Sequence, residues 1–500
     1  MSGPTTVPDD LTRLPATDVA RLVRDRTVSA AEVTEAALAR VRALDGTLHA
    51  FVELTADAAR EQAAAVDAAL ARGERLGPLA GVPLAVKDLI ATRGVRNRNG
   101  SPAYLDFVPD EDDIVVERAR AAGAVLLGQT TVPEFGYSAV GHNPVSPTAR
   151  NPWNPDLTPG GSSAGSAVAV ATGMAPLAFG SDGGGSIRIP AAHCGLYGIK
   201  ASMGRVPLYP GTRDERYPGI SSWENLEHVG PLTRTVADAA LLLSVVAGPD
   251  PRDRHSIPCL DVDWTAAAAE GTAGDLAGLR VAYSADLGHL AVDPRVREVV
   301  ERAVRVVADL GAHVEEADPD LGDLGDAFWT MVAAETDLRG LRALARQHPD
   351  TSPHLVELLE RPWTAEDFTD ALVTRKRVAN RMWRFMAGYD LLLTPTLAVP
   401  PFGLGVQGPT VIDGRAVADN AWLGFVNPMN MTGQPAASVP AGFTSDGLPV
   451  GLQVVGPHLG DAAVLRASAA VEAAAPWAQH WPALVERTGG PTAAAAGVLR

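Results

Sequence analysis

Apolar positions follow two rhythms along this chain, helical spacing and short unbroken runs. In the first 75 residues the helical rhythm prevails. Asp18 to Arg26 reads as a short helix. Ser29-Ala30-Ala31-Glu32 is a capping-box pattern, and Val33, Ala37, Val41 and Leu44 after it fall on one face. Asp45-Gly46 predicts the end of that helix, and Ala56 to Ala71 predicts a third, closed by Gly73. From Gly81 the pattern changes. Val82 to Val86 is short, apolar and bounded by glycine and proline, as in a buried strand, with Lys87 at its exit. Asp113 then caps a helix to about Ala122, and Ala124 to Leu127 reads as another buried strand.

The alternation continues. Thr235 to Ala247, Asp293-Pro294 up to Gly311, and Thr364 to Ala387 predict helices. Leu279 to Ser284, Asp390 to Thr394, Ala436 to Pro440 and Val450 to Val455 predict strands. Helices alternating with short apolar strands imply an α/β protein around a mixed, mostly buried sheet. The expected organisation is a helical segment over 1–75 packed on one large α/β/α domain over 76–488, with a loose tail over 489–500. The Ala/Gly-rich stretch from Gly248 to Gly278 reads as a surface excursion of that domain.

Composition changes little in this picture. A formal charge of -17 opposes nucleic-acid wrapping and binding to anionic membranes, and the acid is spread along the chain. No apolar run approaches the about 18 residues that span a bilayer. No basic, then apolar, leader opens the chain. Cys194 and Cys259 are the only cysteines and lack metal-site spacing, which suits a reducing compartment. A cytoplasmic location is the expectation.

The chemistry concentrates between Thr158 and Pro190, where two serine clusters lie in glycine on either side of an Ala/Val-rich run. In Ser181-Asp182-Gly183-Gly184-Gly185-Ser186, three glycines precede a serine. Bare N–H groups there suit an oxyanion hole, whose donors stand about 3 Å from a developing negative oxygen; a flexible turn is the alternative reading. A serine nucleophile needs a base. His193 is close in sequence but has no orienting carboxylate. Lys87, ending a buried strand, can lose its charge to desolvation, unless it simply reaches solvent. Gly160-Gly161-Ser162-Ser163-Ala164-Gly165 can supply a relaying hydroxyl between them, or only an N-cap for the next helix.

Taken together, GGSSAGS, the 24 residues from Ser162 to Ser186, and DGGGSIRIPAAHCGLYGIKAS resemble the amidase signature family. The likeness extends through GPLAGVPLAVKDLI, GQTTVPEFGYSAVGHNPVSPTARNPWN, HVGPLTRTVADAALLL, YDLLLTPTLAVPPFG and NMTGQPAASVPAGFTSDGLPVGLQVVGP, nearly the whole chain. The resemblance implies one α/β/α domain and a Ser–cis-Ser–Lys triad. Ser186 would be the nucleophile, Ser162 the cis-peptide serine and Lys87 the base. Gly183, Gly184 and Gly185, with the Ser186 amide, would form the oxyanion hole. Ser163, Asp182 and Arg188 would support that loop. It implies a small-molecule amide substrate, no cofactor and no metal, no nucleic-acid or membrane partner, and a monomer or homodimer. Gly136, Tyr137, Trp153, Tyr209, Phe402 and Phe425 fall in segments that the resemblance places near the mouth of the site. They suggest a neutral aryl or alkyl amide, with carbamates and esters of similar shape also accepted. No acidic or basic residue points to a charged substrate end.

The sequence departs from the family pattern at Ala164, at Gln129 and Thr131, which would change the wall near the site, and at Gly183, whose small size would loosen the oxyanion loop. Two rival activities remain. One is the glutaminase subunit of a tRNA-dependent amidotransferase, which shares these motifs; the passage GISSWENLEHVGPLTRT looks more like free-standing amidases. The other is an α/β-hydrolase-type esterase, because Gly161 to Gly165 also matches G-x-S-x-G, with His458 as a late histidine. That fold needs a strand directly before the motif. Pro152, Pro155 and Pro159 make one implausible there. A phosphate-cradling module fails because no Gly-Lys-Ser/Thr follows the glycines.

Overall fold

A computed structural model describes residues 10–211, 223–259 and 261–488; the expected tail over 489–500 lies outside them. Its framework is a mixed sheet of eleven strands. In chain order these are β1 (Phe51–Leu54), β2 (Pro83–Lys87), β3 (Val125–Thr130), β4 (Leu177–Ser181), β5 (Tyr197–Lys200), β6 (Val229–Thr233), β7 (Arg280–Tyr283), β8 (His313–Glu316) and β9 (Leu391–Pro395). A two-residue hairpin, β10 (Val411–Ile412) and β11 (Arg415–Ala416), stands apart, before β12 (Ala436–Phe443) and β13 (Pro449–Val455). The sheet order is β1-β3-β2-β4-β6-β5-β12-β13-β9-β7-β8. β3, β2 and β4 run parallel, as do β9, β7 and β8, and the strands between pair antiparallel.

The central strands are buried along their whole length, so they read as continuous apolar runs. Helices cover both faces. The expected caps are present. Ser29 and Glu32 close a capping box, the Asp113 carboxylate accepts from the Val115 amide, and Thr364 with Asp367 starts the 22-residue helix Ala365–Met386.

Three local expectations are corrected. The second helix runs through Gly46 to Leu48, because Leu48 is fully buried and pulls the last turn into the core. The Asp45 carboxylate is not a stop but accepts from the Ala50 amide just beyond. The first 75 residues are not helical alone: Phe51–Leu54 forms an edge strand antiparallel to β3. The stretch between Gly248 and Gly278 is not only a surface excursion. It contains the helix Trp264–Ala273, whose Trp264, Ala267, Ala268 and Gly271 are buried. Gly271 lets this helix approach the backbone of helix Asp461–Ala474, since a Cβ there would lie 2.2 Å from the Arg466 carbonyl.

β2 and β4 are neighbouring parallel strands, so Lys87 and Ser181, their last residues, lie side by side at the carboxyl edge of the sheet. That edge is where open α/β sheets present ligand crevices.

Candidate active site

The Ala/Val run after Ser163 forms the fully buried helix Ala164–Ala171, which leads back into β4. Gly165 allows its close entry: a Cβ there would stand 2.1 Å from the Ala50 carbonyl oxygen. The Ser163 hydroxyl donates to the Ser181 carbonyl and accepts from the Ser181 amide, each at 3.2 Å. The Ser163 amide donates to the Ser186 carbonyl at 3.3 Å. One residue therefore clamps the first serine cluster to both ends of the second. The Gly161–Ser162 peptide is cis.

Lys87 is fully buried. Its amine donates to Ser162 Oγ at 2.7 Å, to Ser181 Oγ at 2.8 Å and to the Ser181 carbonyl at 3.1 Å. Burial lowers its pKa to about 8, against the opposing pull of Glu227 and Asp182. Among the described residues no carboxylate is bonded to it, so its ammonium form is poorly compensated. As a neutral amine it has two N–H groups for Ser181 and a lone pair for the Ser162 hydroxyl. Ser162 and Ser186 line one cavity. Its apolar walls include Leu89, Ile90, Phe135, Leu208, Trp223 and Val229.

Burying this lysine has a thermodynamic signature. The folded value lies below the unfolded value of about 10.4, so the unfolded chain binds more protons between the two. Lys87→Met is expected to raise the unfolding temperature at pH 7. The gap should narrow as pH climbs from about 8 toward 10, because the wild-type chain gains stability over that interval. Parallel thermal melts across pH check it.

The glycine loop before Ser186 is held from beneath. Asp182 and Arg188, both fully buried, pair through two bonds of 2.9 Å. Burial alone would raise the Asp182 pKa, but the Arg188 guanidinium outweighs it and the carboxyl stays well below the usual range. Asp182 also accepts from the amides of Gly185 (2.7 Å) and Ile187 (3.3 Å) and from Asn430 Nδ2 (2.9 Å). Arg188 donates further to Gln453 Oε1, Asn430 Oδ1 and the Val426 carbonyl. Behind them the buried Lys200 meets His228 Nε2 at 3.2 Å, and burial lowers its pKa to about 7. His228 Nδ1 faces the carbonyls of Leu226 and Asp182 and carries the proton they accept.

This geometry amends several expectations. The Gly185 amide is committed to Asp182 and is not free for an oxyanion, while Gly183 and Ser186 line the cavity. Gly183 does not loosen the loop: Trp223 and Glu227 fill the space, and a Cβ there would lie 2.1 Å from the indole. Acidic groups do line the cavity, Asp113 and Glu227. Burial pushes the Asp113 carboxyl up to about 8, which leaves it protonated at neutral pH. Gln129 is turned onto the Thr92 hydroxyl and Thr131 onto the His49 carbonyl, and neither lines the cavity.

Of the residues expected near the mouth, Gly136 lines the cavity, and Tyr137 lies one position away with its ring against Trp223. Tyr209 sits beside the lining residue Leu208, half-buried, with its carbonyl accepting from the Ile114 amide. Trp153 is displaced from the site because its indole donates to the Cys194 carbonyl and its ring packs on Phe443. Phe402 packs on His193 and Trp422, and Phe425 is fully buried in the core. Ser181, Glu227, Trp223, Asn430 and Gln453 were not assigned from the sequence. Gln453, a lone amide inside the apolar run of β13, carried the one legible signal.

The esterase alternative does not fit. Turns, not a strand, precede Ser163, its hydroxyl is taken by the Ser181 backbone, and His458 is exposed beyond β13. His193 stacks on Trp422 with its pKa lowered to about 4 by burial. Among the described residues no cluster of His, Cys, Asp and Glu is arranged to hold a metal ion, and no helix is long and apolar enough to cross a membrane.

Comparison with known proteins agrees with this architecture. The amidase family model matches residues 32–465. An acylamidase of Rhodococcus erythropolis is 38% identical over 484 residues, covering 94% of this chain and 97% of that protein. A glutamyl-tRNA(Gln) amidotransferase subunit from Acidothermus cellulolyticus is also 38% identical, over 497 residues covering 93% and 95%. The crystal structure of a bacterial aryl acylamidase of the amidase signature family superimposes with a TM-score of 0.87 at 32% identity, covering 97% of this chain and 99% of that one. The match spans the sheet, both serine clusters and Lys87, and the chain belongs to the amidase signature family, as a hydrolase of amide C–N bonds.

Proposed function

We propose that this protein cleaves neutral aryl or alkyl carboxylic amides through an ester formed on Ser186, and that carbamates and esters of similar shape are also substrates. The observation that carries the reading is a fully buried lysine amine 2.7 Å from the hydroxyl of Ser162, which shares its cavity with Ser186. Neutral Lys87 accepts the Ser162 proton, Ser162 accepts that of Ser186, and Ser186 Oγ attacks the carbonyl carbon. The amides of Gly183, Gly184 and Ser186 receive the oxyanion, while Gly185 keeps Asp182 in place beneath them. The proton returns along the two hydroxyls to the departing nitrogen, and the amine leaves. Water then hydrolyses the ester by the same relay.

The apolar cavity wall supports an aryl or alkyl group rather than an ionic one. The likeness to amidotransferase subunits favours a second reading, a glutaminase that delivers ammonia inside an assembly. A panel of anilides, primary aliphatic amides, aryl carbamates and glutamine, offered to the purified chain, separates the two. Cleavage of anilides by the chain alone is the expected result; turnover of glutamine only, and only with added partner subunits, contradicts it.

A further inference from the structure

The catalytic cavity has a neighbour. A second cavity is lined by Tyr137, Ser138, Trp329, Trp363 and Gln407 among others. The chain passes from one cavity to the other at residues 135–138. Phe135 and Gly136 line the first, and Tyr137 and Ser138 the second. In helix Gly325–Ala334, Phe328 lies against Gly184, whose added Cβ would come within 2.6 Å, while the next residue, Trp329, lines the second cavity. Between the two stand Tyr137 and Trp223, edge to face at 5.1 Å and 86°.

This pair is fixed at both ends. The Trp223 indole occupies the space that Gly183 leaves open. Thr336 Oγ1 donates to the Val332 carbonyl at 2.6 Å, so the Tyr137 hydroxyl at 2.7 Å is the donor to it. Thr336, just beyond the end of helix Gly325–Ala334, therefore pins the tyrosine while the glycine loop receives the tryptophan. Edge-to-face aromatic contact holds the pair together beyond what burial alone supplies, which keeps the wall closed against a weakly bound group.

We propose that the Tyr137–Trp223 pair is a specificity-determining partition. It restricts the reacting cavity to compact groups, one ring or a short chain, and closes off a chamber able to take the uncharged aromatic far end of an extended substrate. Trp329 and Trp363 form the aromatic wall of that chamber, and the carboxylates Asp326, Glu357 and Asp419 lining it outnumber the guanidinium of Arg361, which disfavours an anionic end. The proposal rests on the reading that Ser186 is acylated within the first cavity.

Two fluorophosphonates, one methyl and one bearing a biphenyl-ended chain, test it. Labelling forms a Ser186 Oγ–P bond, breaks P–F, releases fluoride and leaves the hydroxyl proton with Lys87; intact mass and peptide mapping follow its rate. The wild-type chain is expected to favour the short probe. Trp223→Ala should raise the long-to-short rate ratio by about tenfold or more, and Trp223→Phe should restore most of the wild-type preference. Adding Trp329→Ala to Trp223→Ala should lower the ratio again, because the distal ring loses its wall. Tyr137→Ala opens the partition from the other side and serves if Trp223→Ala does not fold. An unchanged ratio in the opened variants, with the short probe still on Ser186, overturns the partition alone. Failure of the short probe to label wild-type Ser186 overturns both the partition and the acyl-enzyme reading.

Discussion

Ser186→Ala is expected to lower kcat by about 10⁴- to 10⁶-fold while leaving the fold intact. The size follows from what no neighbour can replace. Ser162 is held against the Lys87 amine, Ser163 is spent on the Ser181 backbone, and His193 is stacked on Trp422. The amides proposed to receive the oxyanion survive the change, so a small residual rate is expected from binding and polarisation alone. Structure survives too. The Ser186 carbonyl still accepts from Ser163, and the hydroxyl takes no part in the Asp182 and Arg188 bonds. Steady-state rates on an anilide, with mass spectrometry for an acyl adduct and a thermal melt, measure all three. A variant that retains several per cent of wild-type turnover, or still accumulates the adduct at this position, contradicts the assignment.

Arg188→Met is expected to be the most damaging change to stability, about 3–5 kcal/mol in urea unfolding, because it strands a buried carboxylate. Asp182 would keep Asn430 and two backbone amides but lose both charge-assisted bonds. Its pKa would rise toward neutrality, and a protonated Asp182 would hold the Gly185 amide weakly. Activity should therefore fall with stability. The pH dependence has a definite sign. A carboxylate with a depressed folded pKa contributes stability that is fully present above its unfolded value, about 3.9, and is lost as pH falls through the lower folded value. The wild-type and variant chains should differ most above pH 4 and converge in stronger acid. Equal urea midpoints at pH 7 would show the pair to be replaceable.

Much of the fold was legible because its elements carry their own end signals. Ser29 with Glu32, Asp113, Thr235, Asp293-Pro294 and Thr364 all cap the helices they predict. What escaped was decided by tertiary packing. Phe51–Leu54 is four residues at a sheet edge, too short and too exposed for a pattern, and it is a strand because β3 offers a partner. Trp264–Ala273 hides among glycines and alanines and is helical because small residues let it lie close to the helix Asp461–Ala474. The site divides the same way. Lys87 announces itself at the exit of a buried strand, and Ser162, Ser163 and Ser186 through glycine and serine clusters, whereas Trp223, Glu227 and Asn430 reach it only by folding. Distance in sequence erases their signal, and no local propensity restores it.

The proposed mechanism requires Lys87, buried with no bonded carboxylate among the described residues, to work as a neutral base through one intervening hydroxyl. The pre-steady-state rate of Ser186 acylation by an activated anilide, followed from pH 6 to pH 11, tests this most directly. The account predicts a rate that climbs with a single ionisation near 8 and then levels, and a Lys87→Ala variant in which both the climb and the level are gone. A wild-type rate that is flat over this span, or a Lys87→Ala variant with the same profile, would contradict it.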